Sequence, residues 1–91
     1  MEIPLTTQQL RTIVREAAEL GAIIALTRTG KLSPYLKKRE AYRRYGRRNI
    51  EQLLAKHELT IRSDGNHTAA WRIDRIEIEA IVRCLEIWRQ L

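Results

Sequence analysis

The chain has 91 residues and a mass of 10.7 kDa, which suits one small domain. Its composition, 44% apolar and 31% charged, excludes a wholly disordered chain, and its single cysteine excludes an internal disulfide. No apolar run approaches the roughly 20 residues of a membrane span. No signal peptide pattern opens the sequence, so the predicted location is the cytoplasm. The net charge of +6 favours a polyanionic partner, above all nucleic acid.

A long helix is predicted over residues 6–27. Thr6 and Gln9 have the spacing of a capping box, in which each side chain satisfies the other residue's backbone amide. Gly21 weakens the helix by about 1 kcal/mol relative to alanine, but it would let another backbone approach closely. The apolar residues recur at three- and four-residue spacing, which predicts a packed face. They are Leu10, Ile13, Val14, Ala17, Leu20, Ile24 and Ala25. We assign residues 1–31 to this helix and expect it to mediate homodimerisation.

Two shorter helices are predicted next, over about residues 34–45 and 47–57. Ser33-Pro34 is a helix-start signal, because serine caps a helix and proline suits its first turn. Gly46 breaks the helical pattern between the two. Ile50, Leu53 and Leu54 give the second of these helices an apolar side.

A β-hairpin is predicted over residues 59–73, because two short extended runs flank a turn segment that contains Asp64-Gly65. Asp74 is expected to cap a last helix, over about residues 74–90. This helix has two apolar stripes where a small monomer needs one, which predicts a second packing surface. Residues 32–91 are assigned to a second segment that forms one folding unit with the first. The candidate residues for a dimer interface are Leu10, Ile13, Val14, Ala17, Gly21, Ile24, Ile87, Trp88 and Leu91.

The positive charge is concentrated between Arg28 and Arg48. This segment contains nine cations and one anion, Glu40, whereas acids outnumber bases in the rest of the chain. Scattered lysines usually form only a solvated face. Cations clustered around a helix, a break and a second helix favour nucleic acid instead.

The polar side of the helix predicted over residues 47–57 has side chains that suit base edges. Arg48 and Gln52 are four residues apart and therefore project together. Arginine can bond guanine bidentately, and glutamine or asparagine can bond adenine. An ordinary amphipathic helix would show the same pattern. The candidate base contacts are Arg48, Gln52, Asn49 and Lys56. The candidate phosphate contacts are Lys37, Lys38, Arg43, Arg44, Arg47, Arg62, Asn66, His67 and Arg72.

Residues 37–81 resemble the excisionase-like branch of the MerR-type winged helix-turn-helix proteins. The resemblance rests on Lys38-Arg39-Glu40-Ala41-Tyr42-Arg43-Arg44-Tyr45-Gly46-Arg47, on Ile50-Glu51-Gln52-Leu53-Leu54 and on Trp71-Arg72-Ile73-Asp74. It implies a mostly α fold with a small β-hairpin, a winged helix-turn-helix preceded here by the long N-terminal helix. It also implies that residues 47–56 enter the major groove and that residues 62–72 form the wing. Small phage and mobile-element proteins of this kind direct excision or regulate transcription, and a recombinase is one implied partner.

Neither catalysis nor a metal or other cofactor is predicted. His57, His67 and Cys84 lack the spacing of metal ligands, and no glycine-rich phosphate loop is present. The main hypothesis is a dimeric, sequence-specific reader of double-stranded DNA. One alternative is a protein-interaction module whose basic helix docks an acidic partner. Another is an architectural or RNA-binding protein with little sequence preference.

Overall fold

The computed structural model describes residues 4–63 and 71–90. In this part of the chain the elements, in order, are α1 (Thr7–Arg28), β1 (Tyr35–Lys37), α2 (Lys38–Tyr45), α3 (Arg47–Ala55), β2 (Ile61–Ser63), β3 (Trp71–Asp74) and α4 (Arg75–Gln90). The predicted mostly helical fold, with a long N-terminal helix and a small antiparallel β-hairpin, is confirmed. None of the described helices is long and apolar enough to cross a membrane.

The predicted capping box begins α1. The Thr6 hydroxyl accepts a hydrogen bond from the Gln9 amide at 3.0 Å, and the Gln9 side chain accepts one from the Thr6 amide at 3.0 Å. The helix ends at Arg28, and Gly30, which follows the C-cap residue Thr29, has a φ of 81°, in the left-handed region that glycine adopts without strain. Both ends of α1 are therefore set by local sequence.

The prediction of a helix over residues 34–45 is wrong for Tyr35–Lys37, which form strand β1. Ser33 does not cap a helix, because its hydroxyl donates to the Tyr35 carbonyl oxygen at 2.9 Å. The buried Arg75 holds the preceding segment in place. Its Nε donates to the Ser33 carbonyl oxygen at 2.6 Å, and its backbone amide donates to that of Pro34 at 2.9 Å. Tertiary contacts thus override the local helix signal.

The predicted hairpin is part of a three-stranded antiparallel sheet with the order β1-β3-β2. Leu36 of β1 pairs with Ile73 of β3, and both side chains are fully buried. Asp74 closes β3 and, as predicted, caps α4, because its carboxylate accepts from the Glu77 amide at 2.9 Å. The predicted hairpin tip, including Asn66 and His67, lies outside the described residues.

The core lies where the sheet, α2, α3 and α4 meet. Tyr42, Tyr45 and Trp71 pack against it with half-buried rings. Its buried apolar residues are Leu36, Ala41, Ile50, Leu53, Leu59, Ile73 and Ile78. None of these belongs to α1, which packs along α4 instead.

The α1 face that packs on α4 is more polar than the apolar spacing predicts. The buried residues of α1 are Thr12 and Glu16, with 3% and 6% of their surface exposed, whereas Leu10 and Val14 are 51% and 59% exposed. Glu16 is buried because Arg83 of α4 pairs with it at 2.8 Å. Of the other candidate dimer residues, Ile13, Ile24 and Ile87 are half-buried, Ala17, Gly21 and Trp88 are exposed, and Leu91 lies outside the described residues.

The turn after α3 supports a stability prediction. The helix ends at Ala55, and the amides of His57 and Glu58 bond the carbonyls of Leu54 and Leu53, as in a Schellman motif. His57 then has a φ of 58°, a conformation that glycine adopts at lower cost.

We therefore expect His57→Gly to raise the free energy of unfolding by about 1 kcal/mol, measured by urea denaturation. Gly30→Ala, at the equivalent position after α1, is the matched control and should lower it by a similar amount. A lower midpoint for His57→Gly would show that the imidazole contributes more than the backbone strain costs.

Candidate nucleic-acid interface

A single glycine joins α2 to α3. Gly46 has φ 89° and ψ 134°, its amide bonds the Tyr42 carbonyl at 3.0 Å, and its carbonyl accepts from Ile50 at 3.1 Å. The Asn49 side chain donates to the Tyr45 carbonyl at 2.8 Å and so closes the end of α2. This predicted base contact is thus engaged in holding the turn between the helices.

The outward edge of α3 is the side of the helix opposite to the residues that it buries in the core. Ile50 and Leu53 point into the core, so Arg48, Gln52 and Ala55 project away from it, and all three are exposed. Among the described residues, no hydrogen bond or ion pair engages the side chain of Arg48 or Gln52. The two side chains with the best chemistry for base edges therefore lie in one row with a short alanine, on an exposed face of the helix.

A groove runs between α3 and the second half of α4. Asn49, Gln52 and Lys56 line its α3 side, and Val82 and Arg89 are among the α4 residues opposite. Lys56 and Asn49 thus lie toward α4 rather than on the outward edge. Of the four candidate base contacts, Arg48 is the one that does not line this groove, whereas Gln52 both lines it and projects from the outward edge.

The sheet register aligns three cations in one row. Lys37 of β1 pairs with Arg72 of β3, and Arg72 pairs with Arg62 of β2. Lys37 and Arg72 are exposed and alternate with the buried pair Leu36 and Ile73. We call Lys37, Arg72 and Arg62 the basic row.

Two further cations lie against aromatic rings beside the sheet. The Lys38 ammonium is 5.7 Å from the centre of the Tyr42 ring and 5.6 Å from that of Trp71, and the two rings meet edge to face. The Arg47 guanidinium is 5.6 Å from the Tyr42 ring and bonds Glu51 at 2.8 Å. This hydrogen bond lowers the pKa of the Glu51 carboxyl. The cluster places positive charge between the basic row and α3.

Arg44, a predicted phosphate contact, points toward α4. Its guanidinium lies 3.7 Å from a carboxylate oxygen of the buried Glu79 and 5.9 Å from the centre of the Tyr45 ring. The Tyr45 hydroxyl donates to the same carboxylate. Burial, and then this hydrogen bond to Glu79, raises the pKa of Tyr45 well above its usual value. Arg44 and Tyr45 therefore anchor the end of α2 to α4.

The raised pKa of Tyr45 makes stability depend on pH at the alkaline end. The folded chain holds the phenolic proton more tightly than the unfolded chain does, whose tyrosine pKa is near 10.0. The stabilisation is therefore complete below pH 10 and is lost as the pH rises beyond it. We expect the urea midpoint of Tyr45→Phe to fall less steeply above pH 10 than that of the parent chain. Tyr35→Phe is the control, and an equal flattening in that variant would contradict the assignment.

Two features of this surface were not foreseen. Lys37 was expected on a helix, where it could not pair with Arg72. The only signal for a strand is the alternation of Tyr35, Leu36 and Lys37, which is too short to decide between a strand and a helix. Asn49 was expected to face DNA, and its bond to the Tyr45 carbonyl depends on the Gly46 turn. Within the described part of the chain, no group of three or more His, Cys, Asp or Glu could hold a metal ion.

Comparisons with protein-family models, with curated proteins and with solved structures find no match to this chain. Its function is therefore inferred from the chemistry and geometry of one surface. This surface is formed by α3, by Lys38 and Arg47 with the rings of Tyr42 and Trp71, and by the basic row.

Proposed function

We propose that this chain binds double-stranded DNA as a winged helix-turn-helix protein. The outward edge of α3 would enter the major groove, and the sheet would lie beside it on the sugar–phosphate backbone. The observation that carries the proposal is the basic row, because the register brings three basic residues to facing positions of a sheet that contacts α2, and α2 leads directly into α3, whose Arg48 and Gln52 are exposed. The biological role that fits is a transcription regulator or an excisionase-like factor of a mobile element.

In the proposed surface, one set of residues provides affinity for DNA and another provides sequence preference. Lys37, Lys38, Arg43, Arg47 and the two arginines of the basic row would neutralise phosphates, which raises affinity for every sequence alike. Arg48 and Gln52 would bond base edges and so confer preference. Glu51 lies beside the outward edge of α3. Its hydrogen bond with Arg47 limits the repulsion that the Glu51 carboxylate would exert on a phosphate.

Fluorescence anisotropy with a pool of random-sequence duplexes, repeated across a salt series, tests the proposal. We expect binding that weakens steeply with salt, and selection from the pool should enrich one motif. No binding at about 50 mM salt, where the electrostatic contribution is large, would overturn the proposal and point to an acidic protein partner. Equal binding to unrelated duplexes, or stronger binding to RNA, would instead favour an architectural or RNA-binding role.

Two single variants separate the roles within the surface. Gln52→Ala should change the enriched motif more than the overall affinity. Arg43 is an exposed cation on α2. Arg43→Ala should weaken binding to all sequences alike and reduce the salt slope by about one ion. Identical behaviour of the two variants would show that α3 does not read bases.

A further inference from the structure

The helix α1 leaves an apolar stripe uncovered on the side away from the α4 contact. Leu10 and Val14 are among the most exposed large apolar residues described, and Ala17, Gly21 and Ala25 continue the stripe along the helix. These five residues are spaced at three or four, so they share one face over about 22 Å. The face packed on α4 is a different one, with Thr12 and Glu16 buried.

Nothing in the part of the chain that the structure describes requires a glycine at position 21. It lies in the interior of α1, where glycine is less favourable than alanine, and its φ is helical rather than positive. A Cβ built at this position would meet nothing within 4 Å. A glycine that is costly to the helix and open to solvent indicates that something outside the described chain comes close there.

We infer that the occupant is a second copy of α1, packed antiparallel. The large residues of the stripe lie in its first half and the small ones in its second half. If two copies run in opposite directions about a two-fold axis near Ala17, then Leu10 faces Ala25 of the other copy and Val14 faces Gly21. Each chain supplies two projections and two hollows, so the stripe is complementary to itself. A parallel pair would set large against large and leave a gap at the glycine.

The charges on and beside the stripe also favour the antiparallel direction. Arg11 flanks the stripe, Arg28 continues it five turns after Leu10, and both are exposed. In a parallel pair each of these arginines would lie beside its own copy. The antiparallel register separates these like pairs, and it offsets Arg11 from Arg28 of the other copy by about 6 Å along the axis. A single helix pair of this length is at the low end of interface size, so we expect reversible dimerisation with a Kd in the micromolar range or weaker.

Sedimentation equilibrium without DNA tests the inference, at chain concentrations from about 1 μM to about 1 mM. We expect the mean mass to rise from 10.7 kDa toward twice that value. Gly21→Val should remove the increase, because a side chain would fill the hollow that accepts Val14. Ala22→Leu adds apolar bulk one residue along but off the stripe, and it should leave association unchanged.

The decisive variant exchanges the large residue at position 14 and the small residue at position 21. Val14→Gly combined with Gly21→Val moves the large residue from one half of the stripe to the other, so the antiparallel pair should fit again and association should return. Far-UV circular dichroism confirms that each variant is folded. A mass that stays at 10.7 kDa throughout, or a double variant that associates no better than Gly21→Val, would overturn the inference. Neither outcome bears on DNA binding, because no DNA is present.

Discussion

Replacing both Lys37 and Arg72 with glutamine is expected to weaken binding to duplex DNA by roughly 50-fold at about 0.1 M salt. The two residues pair across β1 and β3, so the change removes two adjacent charges from the basic row. Each phosphate contact contributes a salt slope near 0.9, and that contribution vanishes near 1 M salt, which gives about eightfold per contact. The slope of log K against log salt should fall by about two, and the enriched motif should not change.

The control for this double variant removes two positive charges from another part of the chain. Arg11→Gln with Arg15→Gln alters two exposed cations of α1, outside the proposed DNA surface. It should reduce affinity only slightly, through the change in net charge. If both double variants lose affinity equally, the basic row is not the site of contact and the attraction is a property of the whole molecule. Urea denaturation of each variant establishes that the sheet is intact.

Local signals were sufficient where the chain contacts its own near neighbours. Thr6 with Gln9, Gly46 between two helices and Asp74 before α4 all act within three or four residues, and the structure has each as predicted. The capping oxygens and the positive φ of glycine serve the same purpose in any tertiary context. The type of each of these helices, and the boundaries next to these signals, could therefore be deduced from the sequence alone.

Strand β1 could not be deduced in this way because its partner is distant in the chain. Tyr35–Lys37 is extended because it pairs with Trp71–Asp74 and because Arg75 bonds the carbonyls before it. Ser33-Pro34 on its own indicates a helix start. The basic row depends on the same pairing, so its cations could be named from the sequence but not placed side by side.

The orientation of α1 was also beyond the sequence pattern. Apolar spacing shows that a helix has an apolar face, but it does not show which neighbour that face meets. Here Arg83 of α4 pairs with Glu16 and Glu19 of α1, so the side of α1 that carries these carboxylates faces α4. Charge pairing across two helices far apart in sequence has outweighed burial of Leu10 and Val14.

Arg83→Ala is expected to lower the free energy of unfolding by about 3 kcal/mol. The guanidinium pairs with Glu16 at 2.8 Å and with Glu79 at 3.5 Å, and it also contacts Glu19. The side chains of Glu16 and Glu79 are only 8% and 4% exposed, so the variant leaves two buried carboxylates without this partner. A buried charge that loses its counter-ion costs far more than an exposed one. Urea denaturation followed by far-UV circular dichroism measures the change.

Two further variants separate this buried network from ordinary surface pairing. Arg89→Ala breaks an exposed ion pair with Glu86 on the same helix and should leave the midpoint nearly unchanged. Glu16→Leu combined with Arg83→Leu removes both charges of the closest buried pair and should recover more than half of the loss, because an apolar pair carries no desolvation cost. If Arg83→Ala proves as mild as Arg89→Ala, then the network does not hold α1 on α4. The buried Thr12 and half-buried Ile13 and Ile24 would then have to supply the contact.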